Sequence, residues 1–149
     1  MQNPDASTRP DDALPLLERL AMGAVSVTAR AVGDAAPELS LLQWRVLVVL
    51  AESPGGAAVS GLAARIGSRL PATSRLVGRM RRHGLVEAHK DRPDARVTTV
   101  TLAPGGRAIW ERVTARRRAD LLAMLETTAP TPNSQAGLER LARAMEPYL

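Results

Sequence analysis

Apolar positions along the chain fall into blocks with helical spacing, separated by short breaks rich in Pro and Gly. Over residues 11 to about 33, Leu17, Leu20, Ala21, Ala24, Val25 and Thr28 recur at three- and four-residue steps while Arg19 and Arg30 lie off the stripe, which predicts an amphipathic helix. Pro15 is tolerated in its first turn, and Pro37 closes the connection. A second helix opens at Ser40, because Ser40 and Gln43 have capping-box spacing. Trp44, Leu47, Val48 and Ala51 form its apolar face, and Ser53-Pro54-Gly55-Gly56 ends it. Ala57-Ala58-Val59 is long enough only for a small strand.

The next block is shorter and more polar. Ser60 is placed to cap a third helix over residues 61 to about 66, which buries Leu62, Ala63 and Ile66. Gly67 permits a left-handed turn. Ser68 is then placed to cap a fourth helix over residues 69 to about 83, with Pro71 in its first turn, Leu76, Val77 and Met80 on its inner face, and Gly84 as its C-terminal glycine. Two short helices joined through a glycine form a helix-turn-helix pattern. Residues 85–89, a basic tip at 90–96 and the β-branched run Val97-Thr98-Thr99-Val100-Thr101-Leu102 read as a hairpin, and a hairpin in that place is a wing. A long helix follows from Pro104 to about residue 128, with Ile109, Trp110, Val113, Leu121, Met124 and Leu125 as its apolar positions. Beyond Pro130-Thr131-Pro132, a last helix from about Ser134 carries the stripe Leu138, Leu141, Ala142 and Met145. The fold class is therefore mainly α with a small β-hairpin wing (α+β): a winged helix-turn-helix between N- and C-terminal helices.

Composition narrows the function. Of the 149 residues 45% are hydrophobic and 23% charged, which suits a folded core. No run approaches the ~20 apolar residues that span a bilayer, and residues 1–12 lack a secretory pattern, so no membrane partner and a cytoplasmic location are expected. Cysteine is absent, which removes disulfides and thiolate metal sites. The net charge of +5 is unevenly spread. Residues 60–97 hold nine basic side chains against Glu87, Asp91 and Asp94, a net +6, whereas residues 1–59 carry −3 and residues 98–149 carry +2. Arginine outnumbers lysine 19 to 1, which suits phosphate recognition, although a genome-wide bias produces the same skew.

The basic third supplies both kinds of side chain that duplex DNA requires: cations and hydroxyls for phosphates, and outward groups on one helix for base edges. Candidate contacts on the fourth helix are Ser68, Arg69, Pro71, Ala72, Thr73, Ser74, Arg75, Arg79 and Arg82, and those in the wing are Lys90, Arg92, Asp94 and Arg96. Asp94 is spaced to hold Arg96 for insertion into the minor groove; the plainer reading is an exposed ion pair. His83 and His89, without cysteine, suggest surface roles rather than a metal site. Met22, Trp44 and Trp110 could line an effector cavity, with core packing as the alternative. Arg116-Arg117-Arg118 reads as a solvated face or a dimer salt-bridge site. No convergent acid, base and nucleophile appear, so an enzyme is not expected, nor is a cofactor. The alternative to DNA binding is a winged-helix module for protein–protein interaction.

Several of these residues resemble the MarR (multiple antibiotic resistance regulator) family. They are Leu39-Ser40 with Gln43-Trp44 and Val46-Leu47, Leu62-Ala63-Ala64-Arg65, Thr73-Ser74-Arg75-Leu76-Val77 with Met80 and Gly84-Leu85-Val86, the wing residues Asp91, Asp94 and Arg96, and Leu102 with Gly106-Arg107. The resemblance implies one MarR-like unit over residues 1–149. In it, dimerisation helices at 11–36 and 104–149 flank a DNA-binding lobe at 40–103. It further implies a homodimer on a palindromic operator, usually a repressor, released by a small phenolic or lipophilic effector between the lobes. Pro93 stands where the first wing Arg is common, Ala103 where a Thr caps the long helix, and Arg69-Leu70 where Ser-Pro often begins the recognition helix. These departures imply an altered operator preference.

Overall fold

A computed structural model of the chain describes residues 9–90 and 97–148. Within them the elements run α1 (Pro10–Ala35), α2 (Leu41–Ala51), β1 (Ala57–Ala58), α3 (Val59–Arg65), α4 (Leu70–Arg82), β2 (Val86–Lys90), β3 (Thr98–Leu102), α5 (Pro104–Thr128) and α6 (Pro132–Met145), closed by a 3-10 turn at Glu146–Tyr148. The mainly helical fold with a small antiparallel hairpin is the one the apolar periodicity predicts.

Helix α2 lies at the centre of the core. Its start is the expected capping box: Ser40 Oγ accepts from the Gln43 amide at 3.2 Å, and Gln43 Oε1 accepts from the Ser40 amide at 2.8 Å. The buried side is wider than the expected face, comprising Trp44, Val46, Leu47, Val49 and Leu50, with Val48 and Ala51 half-buried. A helix buried on several sides needs apolar groups on all of them. Around it pack Leu62 from α3, Leu76, Val77 and Met80 from α4, Val86 and Val100 from the sheet, Ile109 and Val113 from α5, and Ala31 and Val32 from the end of α1.

Neither Ser60 nor Ser68 caps a helix. After α3, Gly67 (φ +65°) donates to the Ala64 carbonyl and Ser68 to the Ala63 carbonyl, at 3.2 and 2.9 Å. This glycine closure spends the Ser68 amide on the preceding helix. The N-cap of α4 is Arg69, without a side-chain cap, and Pro71 in its first turn has no amide to be capped. The N-cap of α3 is Ala58, which puts Ser60 inside that helix. Helix α4 ends by the same device: Gly84 (φ +68°) donates to the Arg81 carbonyl and Leu85 to that of Met80, both at 3.0 Å.

The sheet has strand order β1-β3-β2, all antiparallel, with Ala57 opposite Val100, Val86 opposite Leu102 and Lys90 opposite Thr98. Its return into α5 is tight. A Cβ on Gly106 would fall inside the van der Waals surface of the Leu85 carbonyl oxygen, so only glycine fits there.

The outer helices leave most of their apolar stripes uncovered within this chain. The stripe Leu17, Leu20 and Val25 of α1 is exposed, and within this chain α1 buries only its last turns. Helix α6 starts earlier than expected, through a capping box between Thr131 and Ser134, and none of its residues is buried. Leu121, Met124, Leu138, Leu141 and Met145 line an open apolar groove of about 430 Å³ against Leu17 and Leu20.

Candidate nucleic-acid interface

The buried residues of α4 (Thr73, Leu76, Val77 and Met80) define its inner side. A helix advances about 100° per residue, so Pro71, Arg75, Gly78 and Arg82 stand opposite that side. Leu70, Ser74 and Arg81 run along the edge nearest the hairpin, where they face Val59 and Thr98 across shallow hollows. Ala72 and Arg79 run along the other edge. Arg69, Arg75, Arg79, Arg81 and Arg82 are all exposed. The ion pairs among the described residues join Arg65 to Glu52, His89 to Glu87, and Arg116 to Asp34 and Asp120. None engages an α4 arginine, so this face keeps its full positive charge. With no carboxylate to compete, it is suited to phosphates and base edges.

Thr73 does not belong to that face. It is wholly buried, and its Oγ1 donates to the Arg69 carbonyl at 3.1 Å. The helical turn that points Ser74 and Arg75 outward turns Thr73 into the core. Ser68 is half-buried in the turn, and Pro71 and Ala72 are exposed. Arg81 was missed by the sequence reading, although its seven-residue step from Ser74 puts both on one edge.

On the wing, Lys90 is exposed at the end of β2, opposite Thr98. Arg92, Pro93, Asp94 and Arg96, and with them the Asp94–Arg96 pair, lie outside the described residues.

The three suggested effector residues are not gathered together. Trp44 belongs to the core and carries the Arg117 guanidinium over its ring, 5.9 Å from the centroid. Trp110 packs half-buried against that core, whereas Met22 is 65% exposed on α1 and outside it. On α5, Thr114 is buried and its Oγ1 has no hydrogen-bond partner. The arginine run is also more engaged than a solvated face. Arg116 pairs with Asp34 at 3.1 Å, and Arg117 covers Trp44. Both need an inter-helix approach that residue order does not reveal. Among the described residues no group of three or more His, Cys, Asp or Glu is placed to hold a metal.

Comparison with known proteins agrees with this geometry. Residues 38–97, from just before α2 to the residue before β3, match the MarR family model. A protein of Mycobacterium tuberculosis superposes with a TM-score of 0.79 at 24% identity, covering 96% of each chain. A MarR family protein from Bacillus stearothermophilus gives 0.76 at 25% identity, covering 91% of each. A MarR family transcriptional regulator from Silicibacter pomeroyi gives 0.69 at 25%, covering 91% of this chain and 89% of that one. No curated protein matches the chain by sequence. No helix among the described residues is long and apolar enough to cross a membrane.

Proposed function

We propose that this chain, which belongs to the MarR family of transcriptional regulators, binds a palindromic operator in duplex DNA as a homodimer and represses the adjoining genes. The carrying observation is that α4 and its N-cap hold five exposed arginines from Arg69 to Arg82, none with an acidic partner among the described residues. Helix α4 enters the major groove, with Arg75 and Arg82 towards base edges and Arg69 and Arg79 towards phosphates, while the hairpin carrying Lys90 reaches the neighbouring minor groove. The flanking helices at 11–36 and 104–149 form the dimer frame around the DNA-binding lobe at 40–103. In support, thirteen large apolar side chains on α1, α5 and α6 are exposed, from Leu14 to Met145. Fully burying each is worth about 1.5–3 kcal/mol, and a second copy supplies the complementary apolar surface. Action on the chromosome implies a cytoplasmic site.

A small lipophilic or phenolic effector releases the operator by binding between the lobes, where α5 meets α2. In support, α5 offers two polar groups there, the unpaired Thr114 hydroxyl and the Arg117 guanidinium over Trp44.

Gel-shift titration against the DNA upstream of the chain's own gene tests the main reading. Binding that is tight at low salt and falls steeply as salt rises is the expected result. Absence of binding at low salt, with function surviving Arg75→Ala, would point to a protein-interaction module instead.

A further inference from the structure

The hairpin edge of α4 carries a cleft that base contacts by themselves leave unused. Two hollows of about 250 and 240 Å³ follow one another along that edge and share Val59, Ser74 and Thr98. Ser60 lines the first, Gly78 and Arg81 the second, and among the described residues no carboxylate lines either. Among the described residues, the hydroxyls of Ser60, Ser74 and Thr98 and the guanidinium of Arg81 enter no side-chain hydrogen bond or ion pair. Gly78 is the odd member. A glycine inside a helix weakens it, yet packing does not require one here, because a Cβ at Gly78 meets nothing within 4 Å. The missing side chain keeps the cleft open rather than relieving a clash.

We propose that this cleft seats one sugar–phosphate strand of the bound duplex, with Arg81 and the hydroxyls of Ser60, Ser74 and Thr98 holding its phosphates and Gly78 leaving room for its backbone. The assignment rests on α4 entering the major groove, as proposed above. The strand that divides the major from the minor groove must then cross between α4 and the hairpin, which is where the cleft lies. Arginine and small hydroxyls without internal partners are the groups that hold phosphates, and they fix position without reading sequence.

The full chain is titrated by fluorescence anisotropy against two duplexes, one enriched by the wild type from a random-sequence pool and one unselected. Arg81→Gln is expected to weaken both by the same factor, about three- to tenfold, and to flatten the slope of log affinity against log salt by about one per protomer. Arg75→Gln is expected to weaken the enriched duplex more than the unselected one. Gly78→Leu places its side chain in open space, so its melting temperature should not fall, while both affinities drop about tenfold or more. An unchanged salt slope in Arg81→Gln, or a loss confined to the enriched duplex, overturns the cleft assignment and leaves the α4 reading standing. A folded Gly78→Leu that binds like wild type overturns it too. Failure of the wild type to bind either duplex at low salt overturns the α4 reading itself. The Arg81→Gln slope decides the matter whether or not Gly78→Leu folds.

Discussion

Arg112 donates to the carbonyl oxygen of Ala35 from both Nε and Nη2, at 3.3 and 3.2 Å, across 77 residues of sequence. Ala35 is the last residue of α1, whose final carbonyls have no partner within the helix and carry the negative end of its dipole. A guanidinium from α5 therefore supplies the cap that α1 lacks; its own last turn holds no basic residue. One turn further along α5, Arg116 reaches Asp34. Together they fasten α5 to the end of α1, where α1 enters the core.

Arg112→Ala should destabilise the chain by about 1 kcal/mol, the modest end for a charged hydrogen bond because the site is exposed. Arg112→Lys should recover part of that, since an ammonium cannot reproduce the two-pronged donation. Urea unfolding of the three proteins at fixed concentration measures both; equal midpoints would remove the cap from the account.

Thr73 and Arg75 should separate folding from recognition. Thr73→Val keeps the shape but loses the hydroxyl donated to Arg69, so stability should fall by about 1 kcal/mol with DNA affinity of the folded protein preserved. Arg75→Ala should leave the melting temperature nearly unchanged and cost about 1–3 kcal/mol of base discrimination. Thermal melts run beside binding curves on matched and mismatched duplexes distinguish the two.

Two glycines should respond in opposite directions. Gly106→Ala drives a methyl into the Leu85 carbonyl and should cost about 3 kcal/mol. Gly78→Ala, in open space within a helix, should stabilise by about 0.5–1 kcal/mol. Calorimetric melting gives both signs directly, and a stabilised Gly106→Ala would contradict the close approach at that joint.

The exposed stripe on the outer helices should behave as an interface. Leu141→Glu places a charge in the apolar groove formed by α1, α5 and α6, where desolvation would cost several kcal/mol. Light scattering at micromolar concentration should then return the mass of one chain instead of two. A variant that stays dimeric would place the contact elsewhere.

Much of this is visible in residue order because it depends on neighbours within one helical turn. The Ser40–Gln43 capping box, the left-handed Gly67 and Gly84, and the inner stripe of Leu76, Val77 and Met80 each follow from spacing and residue type. The concentration of nine cations in residues 60–97 is likewise a property of the linear chain. Serine capping at Ser60 and Ser68 does not occur, because α3 begins two residues earlier than the serine suggests, with Ala58 as its N-cap, and α4 begins one residue later, with Arg69 as its N-cap.

What the order of residues determined, then, is the succession of helices and hairpin and the placing of positive charge on one short helix. Tertiary structure decided which apolar stripes find partners within the chain. Helix α2 is enclosed on several sides, whereas the apolar stripes of α1 and α6 remain open. It also paired Arg116 with Asp34 and set Arg117 over Trp44. The reason is physical: periodicity specifies that a face is apolar, but burial depends on what arrives from far along the chain to cover it. Thr73, three, four and seven residues before Leu76, Val77 and Met80, lies on the inner stripe by the same period.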